Sequence, residues 1–204
     1  MSPPKYMMVT VASCTPSYLG EAFKHLATLT AELKQKAGAA TTRFGVLTTG
    51  EQTGHLVLFQ TYEEMNGIDA AFGVYQSSAA YKSITGSGEI AVTFRNILKI
   101  EDLGLKKPST DVPAYGVVTR WGCADLKLDA MRKEVHHFED NGAMILRYCT
   151  IMTGPAAGRR TLTVGYPSMD SIEKTYEALR GSAGYNALIQ SFDMDWRNII
   201  RIAG

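Results

Sequence analysis

The segment Phe94-Arg95-Asn96-Ile97-Leu98-Lys99-Ile100 returns 102 residues later as Trp196-Arg197-Asn198-Ile199-Ile200-Arg201-Ile202. Working toward the N-terminus, a shift of 104 aligns residues 38–81 with 142–185 without a gap, with 13 identities in 44 positions, where composition alone gives roughly three. The matches include Gly38-Ala39/Gly142-Ala143, Arg43/Arg147, Thr49-Gly50/Thr153-Gly154, Tyr62/Tyr166, Ser78-Ala79/Ser182-Ala183 and Tyr81/Tyr185. A period near 104 is too long for a solenoid repeat and suits a whole small domain. The chain therefore reads as a tandem duplication. The polar stretch after Ile100, which carries Gly104, Pro108 and Pro113, reads as the connector and sets the expected division at 1–107 and 108–204.

Each copy carries the same elements. Tyr6–Ser13 and Tyr115–Trp121 have strand composition, and Thr15-Pro16 offers an N-cap before Leu19, Ala22, Phe23, Leu26, Leu29 and Leu33 at helical spacing. The second helix starts at Asp125 and shows Leu128, Met131, Val135 and Phe138 on one face. Gly38 and Gly142 stop these helices, and hairpin strands follow around Thr42–Thr48 and Leu56–Thr61. A further helix (Met65 to about Ile84; Ser168 to about Gln190) and a last strand complete the unit. The order β-α-β-β-α-β is the ferredoxin-like split motif, an antiparallel sheet with helices on one face. The other face needs cover, because Met7, Val9 and Val11 alternate with Met8, Thr10 and Ala12, so both registers of the first strand carry apolar groups. Two bare sheets packed face to face would bury several hundred Å² each, stabilising at roughly 25 cal/mol per Å². The expected fold is α+β: two ferredoxin-like units forming one intrachain barrel.

With this element order, the Tyr62/Tyr166 entrance to the second helix, and the Ser78-Ala-Ala-Tyr81 and Ser182-Ala-Gly-Tyr185 segments, the chain resembles the dimeric α+β barrel superfamily in two passes. The resemblance is to its tandem members, similar to NIPSNAP-like and antibiotic-biosynthesis-monooxygenase-like proteins. It implies a range of activities: cofactor-free monooxygenases, haem degradation, isomerases and decyclases. Fold likeness does not select among them.

Composition narrows the partners. Lys plus Arg is 21 and Asp plus Glu is 20 across 204 residues, a formal charge of +1 that gives no footprint for nucleic acid or an anionic membrane. No run approaches a membrane span or a signal peptide core, and the three cysteines, Cys14, Cys123 and Cys149, make neither a disulfide framework nor a metal motif. The expected setting is cytoplasmic, with no cofactor or metal and with a small molecule as the candidate partner. Because closure occurs within one chain, the expected state is a monomeric pseudo-dimer, or a homodimer through outer surfaces.

Arginine is the most suggestive chemical group. If the more apolar strand register faces the helices, the alternate register, with His55, Arg95, Arg120 and Arg197 and also Arg43 and Arg147, looks into the barrel. Guanidinium groups converging on a dry cavity suit a small carboxylate or enolate. The bland account has them snorkel to solvent or pair with acids. His55 is the candidate general base, whereas His136 and His137 diverge on a helix and His25 lies off an apolar face. The functional expectation is a small-molecule-binding barrel, acting as a cofactor-independent oxygenase or isomerase on an oxygen-rich or aromatic substrate. The alternatives are a non-catalytic binding or assembly protein with a side-chain-filled barrel, and haem binding through a histidine.

Overall fold

The structure is a computed structural model describing residues 3–204. The first unit contains β1 (Tyr6–Cys14), α1 (Leu19–Lys36), β2 (Thr41–Leu47), β3 (Leu56–Tyr62), α2 (Met65–Ser77), α3 (Ala79–Gly86) and β4 (Ile90–Ile100). The second repeats the order with β5 (Tyr115–Gly122), α4 (Leu128–Glu139), β6 (Ile145–Ile151), β7 (Arg160–Tyr166), α5 (Met169–Gly181), α6 (Ala183–Gln190) and β8 (Asp193–Ile202).

Two local expectations are corrected. Thr15 makes no side-chain cap; a short 3-10 turn over Pro16–Tyr18 precedes α1 instead. The expected second helix of each copy is divided in two, at Ser78 and at Ser182. The division has a clear cause, since each serine is extended and its hydroxyl accepts the backbone N–H of Tyr81 (3.1 Å) or Tyr185 (3.2 Å), starting a new helix. The recurrent Ser-Ala-x-Tyr segment is thus a capping device that fixes where the tyrosine sits.

Within each half the strands lie in the order β4-β1-β3-β2 and β8-β5-β7-β6, and the two sheets join edge to edge through β2·β8 and β4·β6 into one closed antiparallel barrel. Helices cover the outside of each sheet. Met8, Leu26, Leu29, Leu33, Phe44, Leu58 and Ile68 form one helix-side core, and Val117, Trp121, Val135, Leu146, Tyr148, Leu162 and Leu179 form the other. The bare faces turn toward each other, as the strand alternation predicts, but across a lumen rather than in dry contact.

The stagger of the strands explains the hollow. Hydrogen-bonded partners traced from Leu47 pass through Ile200, Gly116 and Gly165 to Ile145. Ile145 is the counterpart of Thr41, so the register slips six residues in each half and twelve per circuit. Greater stagger tilts the strands further and widens an eight-stranded barrel, from one that side chains fill to one that can hold a small ligand.

Each seam carries a reciprocal latch. The Thr48–His55 loop of the first unit brings Thr49 to β8, where its hydroxyl accepts from Ile199 N–H (2.9 Å) and lies 3.4 Å from Asn198 Oδ1. Thr153 does the same for Ile97 N–H (2.9 Å) on β4, and the Asn96 amide, oriented to donate, reaches the Thr153 carbonyl at 3.1 Å. Gly50 (φ +81°) and Gly154 (φ +83°) allow this approach, because a Cβ there would overlap the side-chain amide of Asn198 or Asn96. The Thr-Gly and Arg-Asn recurrences in the sequence are therefore two sides of one interface. Gly154→Val is expected to cost about 1–3 kcal/mol through strain and overlap. Gly20→Ala, on a helix with open space around it, is expected to stabilise by about 0.4–1 kcal/mol. Chemical denaturation of the two variants checks the contrast.

Candidate functional site in the barrel lumen

The lumen holds a partly open cavity of about 540 Å³. Its wall differs between the two repeats. The first contributes Met7, Val9, Val11, Val57 and Phe59, all apolar. At corresponding places the second contributes Val118, Arg120, Thr161 and Thr163. Phe94/Trp196, Asn96/Asn198 and Leu98/Ile200 line both sides. The result is a largely apolar chamber with a polar strip on the second repeat.

At one end of the lumen, Arg120 Nε donates to both oxygens of Asp195 (3.0 and 3.2 Å), and Arg159 reaches Asp195 Oδ2 (3.1 Å) and Asp193 Oδ2 (3.0 Å). Glu51 and Gln52, on the loop before β3, line the same end. The counterparts of Arg120, Asp195, Arg159 and Asp193 are Val11, Thr93, His55 and Ala91, so this ionic cluster belongs to one repeat only.

The structure separates the arginines that the sequence grouped together. Arg120 lines the cavity but is paired with Asp195. Arg147 and Arg43 share the inner-facing register of β6 and β2, at the opposite end, just beyond the cavity's lining. Arg43 Nη1 donates to the Thr42 carbonyl (2.8 Å). Arg95 is not in the lumen: its Nε donates to Thr10 Oγ1 (2.9 Å), its Nη2 to the Tyr81 hydroxyl (3.2 Å), and its Cζ lies 4.4 Å from the Tyr75 ring centroid. Arg197 borders the cavity, but its guanidinium is engaged under the helices in the same manner, with Thr119 (3.0 Å), Tyr185 (3.2 Å) and the Tyr176 ring (4.8 Å). These two are clamps between the last strand and the helices, which accounts for the recurrence of Tyr81/Tyr185. His55 sits at the foot of β3, outside the lining residues, so no imidazole faces the cavity.

The physical reason for the reversal is that a closed, hollow barrel covered by helices buries both faces of its inner strands, such as β1 and β3. Apolar character then cannot tell inside from outside, and Met7, Val9 and Val11 line the lumen. Sequence reasoning missed Thr161 and Thr163; the readable signal was divergence, polar residues where the first copy has Val57 and Phe59.

A closed, staggered barrel of two ferredoxin-like units around a one-sided polar lumen defines a tandem member of the dimeric α+β barrel class. The chain belongs to the family described as Domain of unknown function (DUF6854), which matches it twice, over residues 4–100 and 113–202. Among solved structures it is similar to a candidate monooxygenase from Fusobacterium nucleatum (13% identity, TM-score 0.67, covering 100% of this chain and 94% of that one). It is also similar to a chlorite dismutase variant from Candidatus Nitrospira defluvii (6% identity, TM-score 0.66, 100% and 93% covered). A haem-binding protein from Thermus thermophilus matches with 10% identity and TM-score 0.62, covering 98% and 92%. These likenesses establish the fold. No curated protein matches the chain. Among the described residues no helix is long and apolar enough to cross a membrane.

The haem-binding neighbour prompts a test of fit. Haem iron takes an axial His, Cys, Met or Tyr beside room for a porphyrin. The spaces under the helices measure only about 30 and 40 Å³, one filled by the Trp121–Phe192–Tyr148 stack, and neither holds a histidine. The lumen has the volume, but its lining has no histidine or cysteine. The residues present do not fit a haem held by histidine.

Cys149 lies in the wall between Arg147 and Ile151, fully buried, and burial pushes its thiol up to about 12. Burial likewise raises the Tyr62, Tyr148 and Tyr166 hydroxyls. These groups ionise earlier in the unfolded chain, so their contribution to stability is complete below pH 9 and declines above it. Thiol titration at pH 8 is expected to leave Cys149 unmodified in the native protein and to expose it in denaturant, and the thermal midpoint is expected to fall steadily above about pH 9.

Proposed function

We propose that this protein binds a small, oxygen-rich or aromatic molecule inside the barrel. The observation that carries the reading is the cavity of about 540 Å³ in the lumen, apolar on one wall and hydroxyl-bearing on the other. A few polar groups placed in an apolar enclosure are the usual recipe for orienting a small ligand. The volume also argues against the side-chain-filled alternative, which would bring Val9, Val57 and Phe59 of the first repeat against Val118, Thr161 and Thr163 of the second across the axis.

The enzymatic version, a cofactor-independent oxygenase or isomerase, is favoured by structural neighbours described as candidate monooxygenases. In it, the lumen would exclude water, and Arg120 or Arg147 would stabilise negative charge developing on the substrate's oxygen. His55 stands too far outside the lining to serve as the base without movement of its loop; Glu51 and Asp195 are the carboxylates at the cavity.

Titration with the uncharged fluorescent probe 2-naphthamide tests the location. Val57→Phe, which projects a ring into the lumen, is expected to weaken binding at least tenfold. Arg95→Met, on the helix side, is expected to lower the melting temperature and leave affinity unchanged. Equal binding by wild type and Val57→Phe would place the ligand elsewhere.

A further inference from the structure

We infer that Arg147 and the hydroxyl of Thr163 opposite it, with that of Thr161 one step nearer Arg120, form a seat for a carboxylate in the lumen wall, and that the ligand is a flat, mainly apolar carboxylic acid held with its charge toward Arg147. This rests on the lumen being the ligand site and names the class of molecule it takes.

The strand register assembles the seat. Arg147 lies directly opposite Thr163 on the neighbouring strand, and Cys149 lies opposite Thr161. Leu146 and Tyr148 belong to the helix-side core while Cys149 and Ile151 pack on the lumen side, so alternation turns Arg147 inward with the two threonines. Thr161 and Thr163 line the cavity, and neither hydroxyl has a hydrogen-bond partner; Thr161 is only 6% exposed. Arg147 is half-buried, desolvation depresses its guanidinium from the usual range, and no carboxylate lies within salt-bridge distance of it among the described residues.

Each of these groups is costly as it stands. A buried hydroxyl left unpaired forfeits its hydration, and a desolvated guanidinium without a counter-charge costs more. Three such groups adjoin on one face of one sheet. A carboxylate satisfies them together, accepting from the planar guanidinium and from both hydroxyls. Among the described residues no carboxylate pairs with Arg147: Cys149 beside it is a neutral thiol, and Asp195, the nearest acid along the wall, is already neutralised by Arg120, which lies opposite Thr161. The first repeat has no equivalent, since Arg43 lies opposite Phe59 and Val57 replaces Thr161. Its apolar wall is left to receive the body of the ligand.

Isothermal titration of the full chain with 2-naphthoate and with uncharged 2-naphthamide separates the two levels of the argument. Wild type is expected to bind the acid at least tenfold more tightly than the amide. Arg147→Met is expected to abolish that preference without changing amide affinity, Arg147→Lys to restore part of it, and the Thr161→Val/Thr163→Val double variant to reduce it three- to tenfold. Because Met removes an unpaired buried charge, the unliganded Arg147→Met protein is expected to melt at or above the wild-type temperature. A lower melting temperature would mean that the arginine is structural and would overturn the seat. Equal affinity for acid and amide, with amide binding still lost in Val57→Phe, would also overturn the seat and leave the lumen reading standing. Failure of both probes to bind wild type would overturn the lumen reading itself.

Discussion

The contact between the Thr-Gly corner of each hairpin and the asparagine of the opposite repeat's last strand holds the molecule in its present form. Only three residue pairs join β2 to β8, and three join β4 to β6, against seven between β1 and β3. Seams this short would fray without reinforcement. Thr49 and Thr153 extend them by satisfying the Ile199 and Ile97 amides where the ladder ends, and the positive-φ glycines beside them let the loops lie directly on Asn198 and Asn96. Each repeat supplies both the corner and the receiving strand. The interface is thus that of a twofold dimer, in which every contact occurs twice, preserved within one chain.

Those constraints set the stagger, and the stagger sets the hollow. A slip of six residues per half leaves the inner side chains unable to meet across the axis, so the lumen is a consequence of how the edges register rather than of small residues inside. What the lumen then becomes depends on divergence. In a true homodimer every lumen substitution would appear on both walls. Fusion releases that restriction, and here the second repeat alone carries Arg120, Thr161, Thr163, Arg159, Asp193 and Asp195, against Val11, Val57, Phe59, His55, Ala91 and Thr93 in the first.

This division accounts for what could be read in the amino-acid order. Element order, the duplication and intrachain closure were legible because they rest on periodicity and on recurrence over a whole domain. The recurrent residues have proved to be the fold's fittings: Ser78/Ser182 cap helices, Tyr81/Tyr185 hold Arg95/Arg197, and Thr-Gly meets Asn. Recurrence alone gave those arginines no role; their assignment to the cavity rested on strand alternation. Alternation identifies which residues share a face, but not which face, when both are buried. Thr10 and Thr119, which receive Arg95 and Arg197 beneath the helices, sit in registers as apolar as those that line the lumen. In a fused duplicate, identity between copies points to architecture, and the site is sought where the copies disagree.

Charge along the lumen follows the same rule. At the Asp195 end, two arginines meet two aspartates and the cluster is close to neutral, so it can hold the β8 and β6–β7 termini together without drawing an ion from solvent. Toward the other end, Arg147 and Arg43 form no salt bridge among the described residues. A chamber compensated at one end and not at the other has a direction, and a neutral solute would gain nothing from it. Protein interiors rarely retain unpaired cations that packing does not require. The arginine recurs in both copies, as Arg43 and Arg147, but only in the second does a hydroxyl, that of Thr163, stand opposite it where the first copy has Phe59.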